Sequence, residues 1–113
     1  RRIEGEGLSL AAAELRLLDA ETLDRHYEEH LGKPFYKDLV MFMSRSPSML
    51  LVVEGASETH LKVRAIMGAT DPAKADPGTI RGDLGTGMPE NLIHGSDSAE
   101  SAEREIGIFF PGL

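Results

Sequence analysis

Seven consecutive residues, Asn91-Leu92-Ile93-His94-Gly95-Ser96-Asp97, form the densest polar constellation in the chain. A histidine leaves an apolar pair, meets a glycine and is followed by residues that can cap a helix. Helix N-termini present free N–H groups and the positive end of the dipole, which suits a phosphate. An imidazole placed there can act as general base or as phosphoryl acceptor. Glu105 follows on the next helical stretch and could orient the ring. The same pattern also fits a surface loop histidine with an ordinary cap after it, and both readings stay open on these residues alone.

A second candidate is Pro77-Gly78-Thr79-Ile80-Arg81-Gly82-Asp83. An arginine between two glycines can reach a ligand while the backbone approaches closely, although on these residues alone a solvated turn is the plainer reading. Arg64 and Thr70 flank the end of a predicted helix, where an exposed arginine and a turn threonine are the plainer reading. His26 and His30 share a helix face at i, i+4. The metalloprotease pattern needs Glu directly after the first histidine, and Tyr27 stands there, so no metal site is assigned. His60 reads as a helix surface residue, and Met41, Met43, Met49 and Met67 as core filler.

These residues must be held by regular elements. Arg1 to Gly7 reads as the last turn of a helix running into a glycine stop. Leu8 to Ala12 alternates as a strand, and the apolar parity then switches to Leu15 and Leu17, which predicts a bulge or bend near Ala13. Asp19 or Glu21 opens a helix carrying Leu23, His26, Tyr27 and His30 on one face, ended by Gly32. Pro34 starts a second helix with Phe35, Leu39, Phe42 and Met43 as its apolar stripe, closed by Pro47. Met49 to Val53 is a buried strand. Glu58 to Met67 is a third helix, with Gly68 as its stop. From Ala69 to Glu90 the apolar period disappears, which predicts a long loop. Leu92-Ile93 is a very short strand. Asp97 or Ser98 caps a final helix through Glu105, and Ile106 to Phe110 packs on the core. The order implies an α+β domain.

The chain has 113 residues, one domain's worth. Apolar residues at 41% and charged residues at 27% give a soluble globular balance. Twelve Lys+Arg against nineteen Asp+Glu leave a formal net charge of −7, which argues against bulk attraction to nucleic acid. Cys is absent, which removes disulfides, thiolate zinc sites and cysteine nucleophiles and fits a reducing compartment. The longest apolar run, Met49 to Val53, is far too short to span a bilayer.

Taken together, the motifs resemble one family. Asn91 to Ser98, followed by Ala99 to Ile106, resembles the active-site signature of nucleoside diphosphate kinases. Pro77 to Asp83 is similar to that family's phosphate-side loop. His26-Tyr27, Gly32 to Tyr36, Glu54-Gly55 and Gly68 to Pro72 match it in the same order, so the resemblance covers residues 1–113 as one nucleoside diphosphate kinase-like domain. It implies a ferredoxin-like α+β sandwich, with an antiparallel sheet and helices packed on it. It also implies ping-pong transfer of the γ-phosphate from ATP to a nucleoside diphosphate. By the same resemblance His94 is the nucleophile, Glu105 and Ser96 hold its ring, and Tyr27 lies near it. Arg64, Thr70 and Arg81 grip the phosphates, Asn91 bonds the sugar side, and Phe35 stacks on the base with Met88 on the other face. Mg²⁺ is expected to be held mainly through the nucleotide phosphates. The family also implies a cytoplasmic homo-oligomer, tetramer or hexamer, with no membrane and no specific nucleic acid as partner.

The resemblance departs from the family at the start. Members begin with a strand ending in Lys-Pro-Asp, then a full helix, and neither is in these residues, so the chain is expected to be N-terminally incomplete. Ser44-Arg45-Ser46-Pro47 replaces the family's Ser-Gly-Pro turn. A non-catalytic nucleotide-binding or oligomerisation module of the same fold, inactive without that lysine, is the alternative.

Overall fold

The computed structural model describes residues 1–87 and 92–113. Met88 and Asn91, expected beside the base and the sugar, lie outside the described residues. Helices α1 (Arg2–Gly5), α2 (Ala20–His26), α3 (Tyr36–Ser44), α4 (Thr59–Met67), α5 (Ile80–Leu84) and α6 (Ala99–Phe109) alternate with strands β1 (Ser9–Arg16) and β2 (Ser48–Glu54). The two strands pair in an antiparallel sheet, as an α+β ferredoxin-like fold requires. No helix among the described residues is long and apolar enough to cross a membrane.

Packing divides the chain into two units. One comprises Arg1–Ser9 and Val53–Ala102, the other Leu10–Val52 and Glu103–Leu113. In the first unit the buried side chains are Leu8, Met67, Pro72 and Arg81. Leu8 lies beside Gly55, and Arg2 reaches Asp83 across an ion pair of 3.0 Å.

The second unit buries Leu18, Leu23 and Val52. Leu23 is fully enclosed, so its removal is the costliest truncation available there, about 2–5 kcal/mol on going to alanine. Helix α2 starts where Asp19 accepts the Thr22 N–H at 2.8 Å. The Tyr36 hydroxyl donates to Asp24 at 2.6 Å and clips α3 to α2. From α6, Arg104 donates to the Arg25 and His26 carbonyls, two of the orphan acceptors that every helix C-terminus leaves.

Four expectations need correction. Residues 69–87, the described part of the expected 69–90 loop, are not one long loop. They contain a 3₁₀ turn at Pro72–Lys74 and the five-residue α5, each opened by a side-chain cap, Asp71 on the Ala73 N–H at 3.0 Å and Thr79 on the Gly82 N–H at 3.1 Å. Elements this short follow their caps and show too little apolar periodicity to be seen by it. Leu92-Ile93 forms no strand: Leu92 has φ of 75°, outside the extended region, and the Ile93 carbonyl is taken by Arg81. Strand β2 is not buried along its length: Met49 and Leu51 are exposed at 58% and 38%, and within the strand Val52 alone is buried. Finally, α6 continues past Glu105 to Phe109, because Ala102, Ile106 and Phe109 extend one stripe at i, i+4 and i+7.

Candidate active site

In the first unit three segments converge on one guanidinium. Helix α4 ends at Gly68, whose φ of +90° is unfavourable for any residue with a side chain. The turn before α5 is tied by Thr79, whose hydroxyl donates to the Asp76 carbonyl at 2.6 Å while accepting from Gly82. Arg81, on α5, is only 5% exposed. Its Nη1 donates to the Gly68 carbonyl at 3.2 Å and its Nη2 to the Ile93 carbonyl. The second bond fixes the backbone one residue before His94. Arg81 therefore joins the end of α4 to the histidine segment.

Burial makes the Arg81 guanidinium less tolerant of its own charge, and the Arg64 cation nearby acts in the same direction. Two cations that repel across a short gap are relieved by an anion, and guanidinium forks match phosphate oxygens. His94 follows directly. Its side chain reaches solvent, but crowding of the ring by protein lowers its proton affinity below the ordinary histidine value, with the Arg81 cation as the second cause. The imidazole is therefore neutral at pH 7, the form with a free nucleophilic nitrogen.

Gly95 lets the histidine segment lie against α4, since a Cβ there would stand 2.8 Å from Met67 Sδ. Ser98 caps α6 by accepting the Ser101 N–H at 3.0 Å. The Asp97 carboxylate is held below its usual range by hydrogen bonds with Ser101 first and Ser98 after it, and by Arg64 more weakly. Thr70 is exposed just beyond α4, and Ser96 is half-buried between His94 and the α6 cap.

The second unit carries the other expected residues. The Tyr27 ring meets His26 edge-on at 4.3 Å and stacks with His30 at 5.9 Å. Its hydroxyl is buried without a hydrogen-bond partner among the described residues, and burial, helped by the Glu105 charge, pushes its pKa up to about 12. Glu105, on α6, places Oε1 3.7 Å from His26 Nδ1. Phe35 is 49% exposed and packs edge-on against His30 at 5.4 Å, with Lys33 Nζ 5.9 Å from its centroid. A half-exposed aromatic ring is free to offer a face to a planar ligand.

The structure thus brings Arg64, Arg81, His94 and Ser96 into one unit with Thr70, and gathers Tyr27, Phe35 and Glu105 in the other. No group of three or more His, Asp or Glu residues among the described residues could hold a metal ion. The sequence reading missed Asp83 and Arg2. The only signal for Asp83 was its place at the end of the Pro77 to Asp83 loop.

The family model for nucleoside diphosphate kinase matches residues 1–113. The chain belongs to the nucleoside diphosphate kinase family. It is 58% identical over 112 residues to a nucleoside diphosphate kinase of Streptomyces coelicolor, covering 98% of this chain and 81% of that one. With that of Thermobifida fusca it shares 54% identity, covering 99% and 82%. Among solved structures, a halophilic nucleoside diphosphate kinase from Halobacterium salinarum in complex with CDP superposes with a TM-score of 0.90 at 45% identity, covering 96% of this chain and 72% of that one. A nucleoside diphosphate kinase family protein from Babesia bovis gives 0.91 at 40%, covering 96% and 73%. These likenesses support nucleoside diphosphate kinase activity, a phosphotransferase reaction, and do not favour the non-catalytic module.

Proposed function

We propose that this nucleoside diphosphate kinase works through His94, which takes the γ-phosphoryl group of ATP onto a ring nitrogen and passes it to a nucleoside diphosphate. The observation that carries the reading is the buried Arg81 guanidinium, bonded to the carbonyl of Ile93 and acted on by Arg64, beside a histidine whose proton affinity is lowered by burial and by the Arg81 cation. In the first step the ring nitrogen forms the N–P bond as the β–γ bridging oxygen leaves with its electron pair on the nucleoside diphosphate. In the second, a terminal phosphate oxygen of another diphosphate attacks phosphorus and the nitrogen recovers its pair. Such transfer needs positioning and charge neutralisation above all.

Arg64, Thr70 and Arg81 are assigned to the phosphates, Ser96 and Glu105 to the histidine ring, and Tyr27 to its vicinity. Phe35 is assigned to the base, paired with Met88, and Asn91 to the sugar. Stacking accepts any base, because every base has a π face, and this explains transfer among different nucleosides. Mg²⁺ fits this site as a companion of the nucleotide: the groups around His94 are cationic and suit phosphate oxygens, and no cluster of protein carboxylates competes for the ion. When bound it would supply further neutralisation of the phosphate charge. The chain is proposed to act in the cytoplasm as a homo-oligomer.

The test is labelling with γ-³²P-ATP. The label should be acid-labile and alkali-stable, should discharge onto an added nucleoside diphosphate, and should vanish in His94→Ala. Persistent labelling of that variant refutes the assignment. The initial rate should fall on acidification only below the ordinary histidine pKa of 6.5, because the neutral ring is the reactive form and its proton affinity is lowered.

A further inference from the structure

The loop that carries Arg81 is closed by a carboxylate that none of the assignments above uses. Asp83 lies two residues beyond Arg81 on α5. Its Oδ1 accepts the Gly78 N–H at 2.9 Å, which folds residues 78–83 back on themselves. Its Oδ2 stands 3.0 Å from Arg2 Nη2 on α1. The carboxylate is thus gripped from two sides, by the start of its own turn and by a separate helix. The two side chains of the ion pair are 40% and 34% exposed, and pairs so exposed contribute little to stability. What the arrangement does supply is direction. With both carboxylate oxygens engaged, the start of α5 has one orientation, and Arg81, one turn-edge away, meets the Gly68 and Ile93 carbonyls from it.

We propose that Asp83 is a positioning residue for His94, acting through Arg81: by closing the 78–83 turn and pairing with Arg2, its carboxylate sets where the guanidinium meets the Ile93 carbonyl. The inference rests on His94 as the phosphoryl acceptor and adds a residue that touches neither nucleotide nor histidine. Charged groups of this stretch of the first unit include Arg2, Asp83, Arg81 and Arg64, with the Asp97 carboxylate beyond His94. Deleting the Asp83 anion by itself would lower the proton affinity of a nearby imidazole. Letting the Arg81 cation drift from the histidine would raise it. The two effects have opposite signs, which separates positioning from simple loss of charge.

The experiment compares the full chain with Asp83→Ala and Asp83→Asn, reading the His94 ring titration by NMR, identified by its absence in His94→Gln, and the initial rate of labelling by γ-³²P-ATP. Asp83→Ala should move the titration upward toward the ordinary histidine value and slow labelling about tenfold, as loss of alignment does. Asp83→Asn keeps an acceptor for Gly78 but loses the charge that pairs with Arg2, and should restore both in part. Folding is checked by circular dichroism. If the alanine variant does not fold, Asp83→Glu serves, since it keeps the charge and moves the carboxylate one methylene off the Gly78 N–H, with both changes expected in the same directions. With a wild-type chain that takes the label, a folded Asp83→Ala lacking either change, or a titration that moves downward in it, overturns the proposal. The titration needs no nucleotide. A wild-type chain that takes no label while Asp83→Ala still shifts the ring therefore counts against the phosphohistidine reading and leaves the role of Asp83 standing.

Discussion

Tyr27 shows how one side chain's surroundings can be read out directly. Its hydroxyl is buried without a hydrogen-bond partner among the described residues, next to the Glu105 charge, and its pKa rises to about 12. Tyr36 rises to about 12 as well, through partial burial first and then through the Asp24 hydrogen bond. The chain has two tyrosines and no tryptophan, so ultraviolet absorbance isolates them. Tyrosinate absorbance at 295 nm should stay flat through pH 10 and rise only as both rings ionise together well above the model-compound value of 10.0. A wave for one ring near pH 10 would mean that its surroundings differ from those described. His94 stood out in the sequence as a candidate because a reactive residue type stood beside a glycine and a cap. The Ile93 carbonyl as the anchor of Arg81 was not legible, since every residue has a carbonyl and only the fold selects one.

At the level of the element, α5 depends on its cap more than on its length. Five residues cannot sustain a helix by propagation, and Arg81 is the one buried residue among them. Thr79 accepts the Gly82 N–H and donates to the Asp76 carbonyl, so its hydroxyl serves both ends of the turn. Thr79→Ala should cost about 1 kcal/mol in urea unfolding and Thr79→Ser a few tenths, since serine keeps the hydroxyl. Equal losses in the two would remove the cap from the account. Long elements were readable in position from their spacing: β2 lies at Ser48–Glu54 around the expected Met49 to Val53, though only Val52 of it is buried, and α4 ends at the expected Gly68. Pro72–Lys74 and α5 were missed because a helix of one turn has no apolar stripe to display, although Asp71 and Thr79 were in place as caps.

Over the whole molecule the balance of apolar surface decides behaviour. Within the second unit Leu10, Leu15, Leu17, Leu31, Met41, Met49 and Leu51 are between 38% and 63% exposed, while Leu18, Leu23 and Val52 are buried. Scattered exposed leucines are ordinary, but so many on the two strands and their flanks call for a covering surface. Sedimentation equilibrium should therefore return a multiple of the 12.3 kDa chain mass, and a monomer over the micromolar range would overturn the homo-oligomer. In the proposed site, Arg64 and Arg81 set two positive charges near each other within a chain of net charge −7, which offsets the overall repulsion of an anionic ligand.

Composition, motif order and apolar spacing by themselves determined the α+β class, the family and the long elements, because these follow from local propensity and from residue types in fixed order. Tertiary structure alone decided the rest. It chose the Gly68 and Ile93 carbonyls for Arg81 and set Glu105 3.7 Å from His26 Nδ1. It also brought Arg2 to Asp83 from eighty-one positions away in the chain. Each of these is a pairing between groups distant in sequence. Such pairings leave no local trace, because their free energy comes from desolvation and geometry that exist only once the chain has folded.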